Sequence, residues 1–172
     1  MSEVRNRETG QVMYESELRQ SLKDKAQPSF AQLTAEIANL LGYDIVFEGP
    51  QATGGTVYQY SQRSGVEQQS DGKWYTKYIL GPVFTDRIAT EDKPAQTAAE
   101  QEAFYKAVKD AEQSKNVRTS RDSKLAESDW RVIKAVELST AVPIEWAAYR
   151  QALRDITTQA GFPWTIDWPK QP

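Results

Sequence analysis

From Ala98 to about Asp129 the sequence runs without a proline or a glycine. Nothing in the backbone chemistry therefore interrupts a helix there. At 1.5 Å per residue such a helix is roughly 45 Å long, and it separates an N-terminal part of the chain from a C-terminal one. Its apolar content falls along its length: Phe104, Tyr105, Ala107, Val108 and Ala111 come early, then only Val117 and Leu125. The segment from Glu112 to Lys124 is almost wholly polar, and polar helices of this length do not sustain themselves in water. Either Ser114 to Ser123 contains a break, or the helix packs against another copy or another protein. We expect the partner.

The N-terminal part reads as a small α+β domain with a meander-like sheet. Glu8 to Tyr14 is a turn running into a short strand. Ser16 is placed to cap a helical turn with Leu18 and Leu22 on one face, interrupted by Pro28. Thr34 opens a second helix whose face is Leu33, Ile37, Leu40 and Leu41, and Gly42 ends it. Tyr43 to Phe47, aromatic and β-branched and closed by Gly49-Pro50, is a strand. Val57, Tyr58 and Tyr60 indicate another, Gly65 to Gln69 a third, and Lys73 to Leu80 a fourth. Asp71-Gly72 marks a type I′ hairpin turn between the last two. Gly81-Pro82 ends the section, and the polar stretch Thr85 to Thr97 is a linker or loop.

After the long helix, which Ser128-Asp129-Trp130 is expected to close, the chain turns aromatic: four of the five tryptophans lie between Trp130 and Trp168. Pro143 suits the first position of a helix running to about Thr158. Steps of three and four place Trp146, Tyr149, Leu153 and Ile156 on one face, flanked by Glu145, Arg150 and Arg154. Gly161 terminates it. With Pro163, Pro169 and Pro172, the segment from Phe162 onward is extended, its aromatics folding back over the helices. The domain reading is thus 1–84 for the α+β domain, 85–117 for linker and long helix, and 118–172 for a small helical, Trp-rich C-terminal domain.

Composition removes most catalytic chemistry. Cysteine and histidine are both absent from the 172 residues, which excludes a disulfide framework, a thiolate nucleophile, a Cys/His zinc site and a Ser-His-Asp triad. No calcium loop pattern of the D-x-D-x-D-G kind appears, so neither a metal nor another cofactor is expected. Net charge is −3 with the signs well mixed, which offers no nucleic-acid footprint. No segment has the roughly 20 apolar residues of a membrane span, and Met1 to Arg7 lacks the apolar core of a secretory signal. A hydrophobic share of 39% with mean hydropathy −0.68 indicates a modest core or burial against other chains.

Three fragments carry a resemblance. They are Arg118-x-x-Arg121-Asp122-x-x-Leu125-Ala126-x-Ser128-Asp129-Trp130, then Trp146-Ala147-x-Tyr149-Arg150-Gln151-Ala152-Leu153-Arg154-Asp155-Ile156, then Gly161-Phe162-Pro163-x-x-Ile166-x-Trp168-Pro169. In order and spacing they resemble the C-terminal domain of the bacteriophage tail assembly chaperone family, found in small phage tail and tail-fibre accessory proteins. Tyr43 to Gln51 and Gly72 to Tyr78 are more loosely similar to the leading domain of such proteins. One departure is Val132 to Ala141, with Lys134 and Glu137, where many relatives carry a more polar, Asp/Thr-rich loop. The resemblance implies a non-enzymatic protein that binds a phage tail fibre or other tail structural protein, with self-association through the long helix as a further possibility. It acts in the host cytoplasm during assembly or is retained in the virion tail. The alternative role is a permanent structural subunit of the tail, fibre or baseplate. An enzyme acting on cell-wall sugars through two carboxylates is a third, weaker reading, since no pair stands out.

The candidate partner-binding residues are Trp130, Trp146, Tyr149, Arg150, Arg154, Trp164 and Trp168. Each also has a plainer reading. Trp146, Tyr149 and Leu153 are placed to form a core with Trp130 and the tail. Arg150 and Arg154, with Asp129 and Asp155, are placed to form a charged network that locks the domain. Periodicity makes Arg150, Arg154 and the Phe162 to Trp168 tail the more outward parts, and leaves open whether Trp164 and Trp168 stack on the helices or face solvent. Trp74, Tyr75 and Tyr78 fill both faces of a hairpin rather than stack on a sugar or a base.

Overall fold

A short N-terminal strand that hydropathy alone does not reveal organises the sheet. In the computed structural model, which describes residues 2–172, β1 (Glu3–Asn6) sits between β2 (Val12–Tyr14) and β3 (Tyr43–Phe47), antiparallel to both. Its single apolar residue, Val4, is fully buried. Its charged residues are spent on distant partners: Glu3 takes a two-pronged contact from Arg63 at 2.6 and 2.5 Å, and Arg5 pairs with Asp44 at 3.5 Å while lying 3.8 Å over the Trp74 ring. The Glu3 carboxylate raises the Arg63 pKa above its ordinary value, chiefly through these hydrogen bonds.

The remaining strands are β4 (Tyr60–Gln68) and β5 (Trp74–Gly81), and the five-stranded order is β2-β1-β3-β5-β4. The α+β class holds, and the strand order refines the meander: two antiparallel hairpins meet where β3 runs parallel to β5. The two strands expected within residues 57–69 are one strand, its register shifting between Arg63 and Val66, while Val57 and Tyr58 lie in a turn closed by Gln59 N–H to Thr56 C=O at 3.0 Å. The turn at Asp71-Gly72 is not type I′. Only Gly72 has positive φ (78°), and Gly72 N–H donates to Gln69 C=O at 2.9 Å, the pattern of a longer loop with its left-handed residue last. The Asp71 carboxyl is held below its ordinary value by the Lys73 N–H and the Tyr75 hydroxyl, which itself is raised in return.

Two short helices cover this sheet. In α1 (Glu15–Asp24) Leu18 and Leu22 are buried as their spacing predicts. Ser16 lies inside it and is not the cap; the entry is fixed by the Glu17 carboxylate accepting from Tyr14 N–H at 2.7 Å. In α2 (Ala35–Leu40) Thr34 is the cap, accepting from Ile37 N–H at 3.2 Å, and Gly42 takes the left-handed φ of 82° after it. Its buried residue is Ala38, and Leu40 is exposed, because the helix is too short to present a full apolar stripe. The core is Val4, Leu18, Leu22, Ala38 and Tyr43, with Met13, Phe30, Leu33, Leu41 and Ile45 against it. This sheet and its helices form one compact unit, Met1–Val83; Phe84–Pro172 forms another.

In the second unit residues 85–97 are anchored rather than loose. Arg87 and Gln96 exchange backbone hydrogen bonds at 2.8 and 3.0 Å, and Asp86 accepts from Ala98 N–H at 2.7 Å. Thr97 and Glu100 then make a reciprocal cap: Thr97 Oγ1 accepts from Glu100 N–H (3.2 Å), and the Glu100 carboxylate accepts from Thr97 N–H (2.8 Å) and hydroxyl (2.9 Å). These contacts hold the Glu100 carboxyl below its ordinary value. The helix they start, α3 (Ala98–Glu137), is 40 residues long and unbroken, so about 60 Å. It neither breaks between Ser114 and Ser123 nor ends at Asp129.

The connection 138–143 leads into α4 (Ile144–Arg154), followed by a 3₁₀ turn, Asp155–Thr158. The long polar helix finds part of its cover within its own chain. Val117 packs with Trp146, Tyr149, Leu153 and Ile156, and Leu125, Val142, Phe162, Ile166 and Trp168 close over them. Leu153 and Ile156 have no exposure at all. Residues 161–165 are a tight turn rather than extended chain, with Trp164 and Thr165 N–H both donating to Gly161 C=O at 2.9 and 2.7 Å. Gln159 fastens the tail beyond it, donating to Asp167 C=O (2.8 Å) and accepting from Asp167 N–H (2.9 Å).

Candidate partner-binding surface

The α3–α4 hairpin is pinned by Arg150. Its guanidinium donates to Leu125 C=O at 2.8 Å, Ser128 Oγ at 2.6 Å and Asp129 Oδ1 at 2.7 Å, and only 11% of its side chain is exposed. Ser128, 1% exposed, donates in turn to Leu125 C=O at 2.8 Å. Arg150 is thus directed inward, against its expected outward placement; the expected Arg/Asp network forms with Asp129, while Asp155 accepts instead from the Gln151 amide at 3.0 Å. Arg154 is exposed.

Trp146 and Tyr149 are each 7% exposed and meet edge to face at 5.8 Å between centroids, in the hairpin core. Trp130 is different. It is 48% exposed and sits on the Arg131 guanidinium, which lies 3.8 Å from its ring and 4.6 Å from that of Trp146. The buried Arg131 Nε has no hydrogen-bond partner among the described residues, and its charge is met by two indole faces instead. Arg131 therefore couples the half-exposed indole to the core, a role that spacing alone does not signal.

The tail tryptophans are half-buried and turned toward α3. Trp164 Nε1 donates to Asp110 Oδ1 at 2.6 Å, and Lys124 lies 5.6 Å from the Trp168 ring; Arg118 lies 5.4 Å from that of Phe162. Between them and Gln113, Asn116 and Ser120 runs a groove of about 320 Å³. The two possibilities open for these residues thus resolve toward stacking on the helices.

Around the α3–α4 connection the chain leaves apolar side chains in solvent: Ile133 (56% exposed), Val136 (71%), Leu138 (61%) and Ile144 (79%). These exposed apolar side chains, close in sequence to the half-exposed Trp130, make this end of the hairpin the candidate surface. None of these four is among the contact residues expected from the sequence, where Val132 to Ala141 stands only as a departure from the resemblance. Val132 to Glu137 proves to be helix, which puts those residues on a rigid element. Among the described residues no group of three or more His, Cys, Asp or Glu is arranged to hold a metal, and no helix is long and apolar enough to cross a membrane.

Residues 114–172 match the family model described as phage tail assembly chaperone protein. The matched stretch begins inside α3 and takes in Arg150 with all its partners, the hairpin core, the exposed apolar residues and the whole tail. The matched segment is therefore a folded helical hairpin with its own core. Comparison with curated proteins and with solved structures gives no match. The family supports an accessory role in tail assembly.

Proposed function

We propose that this protein is a non-enzymatic phage tail or tail-fibre assembly chaperone that holds another tail structural protein of the same phage on the outer end of its α3–α4 hairpin. The observation that carries this reading is the coincidence of the family match with the exposed apolar residues around the connection, from Ile133 to Ile144. Trp130 is the central anchor: large, half-desolvated already, and fixed by Arg131, so little conformational freedom is lost on binding. Trp146, Tyr149 and Arg150 act from beneath by holding the hairpin in shape. Arg154, Trp164 and Trp168 lie away from this end, Arg154 exposed and the two tryptophans bracing the tail against α3. Assembly takes place in the host cytoplasm, and the protein then leaves.

The test is co-expression with the tail proteins of the same phage followed by co-purification. Wild type retains one of them; Trp130→Ala, Leu138→Ser and Ile144→Ser combined, still helical by circular dichroism, do not. Undiminished capture by that triple variant overturns the assignment of the surface. Mass spectrometry of purified particles addresses departure, since near-stoichiometric presence would make the protein a permanent subunit.

A further inference from the structure

The outward face of α3 has a spacing that reads the same from both ends. Phe104, Val108, Ala111 and Lys115 come at steps of four, three and four; Asp122, Ala126, Asp129 and Ile133 repeat those steps. All eight are exposed. At 3.6 residues per turn they fall within an arc of roughly 60°, about 140° round the helix from the buried Val117, Ser128 and Ala135. A two-fold contact needs one surface to be its own complement, with residue i facing j and j facing i.

We infer that two copies of this chain associate antiparallel through this stripe. Laid antiparallel with the axis between Arg118 and Thr119, Phe104 faces Ile133, Ala111 faces Ala126, and Lys115 faces Asp122, each pairing occurring twice. The apolar pairings lie toward the ends, the alanines let the backbones approach, and opposite charges meet near the middle. Val108 faces Asp129, whose carboxylate is engaged by Arg150 at 2.7 Å. Like charges approach at two places, Glu100 with Glu137 at the ends and the two copies' Arg118 beside the axis, each Arg118 also lying 5.4 Å from the Phe162 ring of its own chain. A parallel pair would set Lys115 against Lys115 and Asp122 against Asp122, so charge selects the antiparallel arrangement. From Phe104 to Ile133 the stripe is ~45 Å long and ~10 Å wide, so it covers ~450 Å² per copy, about 900 Å² in all, in the range of weak, transient contacts. The dimer is accordingly a weak, salt-sensitive one. The stripe shares Ile133 with the hairpin surface proposed above, but the charges on which its test rests, Lys115 and Asp122, lie outside that surface.

Sedimentation equilibrium of the full chain over a range of concentrations tests it. Wild type shows a monomer–dimer equilibrium in the micromolar range. Lys115→Glu alone and Asp122→Lys alone each weaken it by on the order of tenfold or more, because two attractions become two repulsions. The combined variant Lys115→Glu/Asp122→Lys recovers association, and so does an equimolar mixture of the two single variants, in which every central pairing is again attractive. A chain that stays monomeric at all concentrations overturns the inference. So does a dimer that the single variants leave unchanged, or one that Lys115→Glu tightens. These are exposed positions, and unchanged circular dichroism establishes that each variant is folded.

Discussion

Arg150→Ala tests whether the hairpin is held by one side chain. The guanidinium it removes makes two hydrogen bonds to uncharged acceptors, Leu125 C=O and Ser128 Oγ, in a setting where only 11% of the side chain meets solvent. Hydrogen bonds from a charged donor contribute about 1.5 kcal/mol each at the low end. The third partner, Asp129, is 55% exposed, so its ion pair contributes about 0.5 kcal/mol and its carboxylate returns to water when the arginine is gone. Neither buried acceptor is orphaned, because the Ser128 hydroxyl still donates to Leu125 C=O. The expected loss is therefore about 3.5 kcal/mol, within the lower part of the range for breaking a buried charged contact.

Urea unfolding followed by tryptophan emission measures this in a Trp74→Phe background, where all remaining tryptophans lie in Phe84–Pro172. Two controls sharpen it. Asp129→Asn should cost less than about 1 kcal/mol, since it removes only the exposed arm. Arg150→Lys keeps the charge but loses the fork that reaches three acceptors at once, and should fall between the other two. The reasoning is refuted if Arg150→Ala lies within about 0.5 kcal/mol of its parent, or if Asp129→Asn costs as much as Arg150→Ala. The second result would mean that the surface ion pair, and not the carbonyl and hydroxyl beneath it, pins the helices.

Other single contacts carry expectations of their own. Leu153→Ala, at a position with no exposure, should cost about 3–4 kcal/mol in the same assay. Trp164→Phe keeps the ring but removes the Nε1 hydrogen bond to Asp110, and should cost about 1–2 kcal/mol. Thr97→Ala removes the cap of α3 at a cost of about 1 kcal/mol, read as a lowered urea midpoint by circular dichroism. Glu100 gives the pH dependence: its folded pKa is lowered from 4.5, so its stabilising effect is complete above that value and is lost as pH falls through the lower folded one. Glu100→Gln should flatten that acid limb, and an unchanged limb would place the acid sensitivity elsewhere.

Elements whose side chains bury by local periodicity were legible in the sequence. Tyr43 to Phe47 is a strand with the expected ends, Leu18 and Leu22 face the core, and Trp146, Tyr149, Leu153 and Ile156 form one buried face. What escaped depends on partners far along the chain. Strand β1 has one apolar residue, and its place in the sheet rests on pairing with β2 and with β3, about 40 positions away, and on contacts such as Glu3 with Arg63, 60 positions away. The end of α3 was misplaced for the same kind of reason. Ser128-Asp129 looks like a helix boundary because such side chains compete with the backbone for hydrogen bonds, yet here Ser128 Oγ is bonded within its own turn and by Arg150, 22 positions on. A polar pair that would end a helix in solvent continues it under a buried guanidinium.

At the aromatic end two readings stood side by side, contact surface and core. Counting tryptophans identifies where apolar area is concentrated but not which side of it faces water, and the core reading is the one that holds for α4: Trp146 and Tyr149 are each 7% exposed, against 79% for Ile144, two positions before Trp146. The reason is geometric. A two-helix hairpin has one inner seam, and the large rings at steps of three and four fill it; once it is full, apolar residues on other faces have nothing of their own chain to cover them. Leu138 and Ile144 flank the connection between the helices, where the seam ends, and Trp130 is drawn half into it only because Arg131 bridges it to Trp146. The apolar side chains left outside the seam, rather than the aromatics within it, are what this fold has available for another protein.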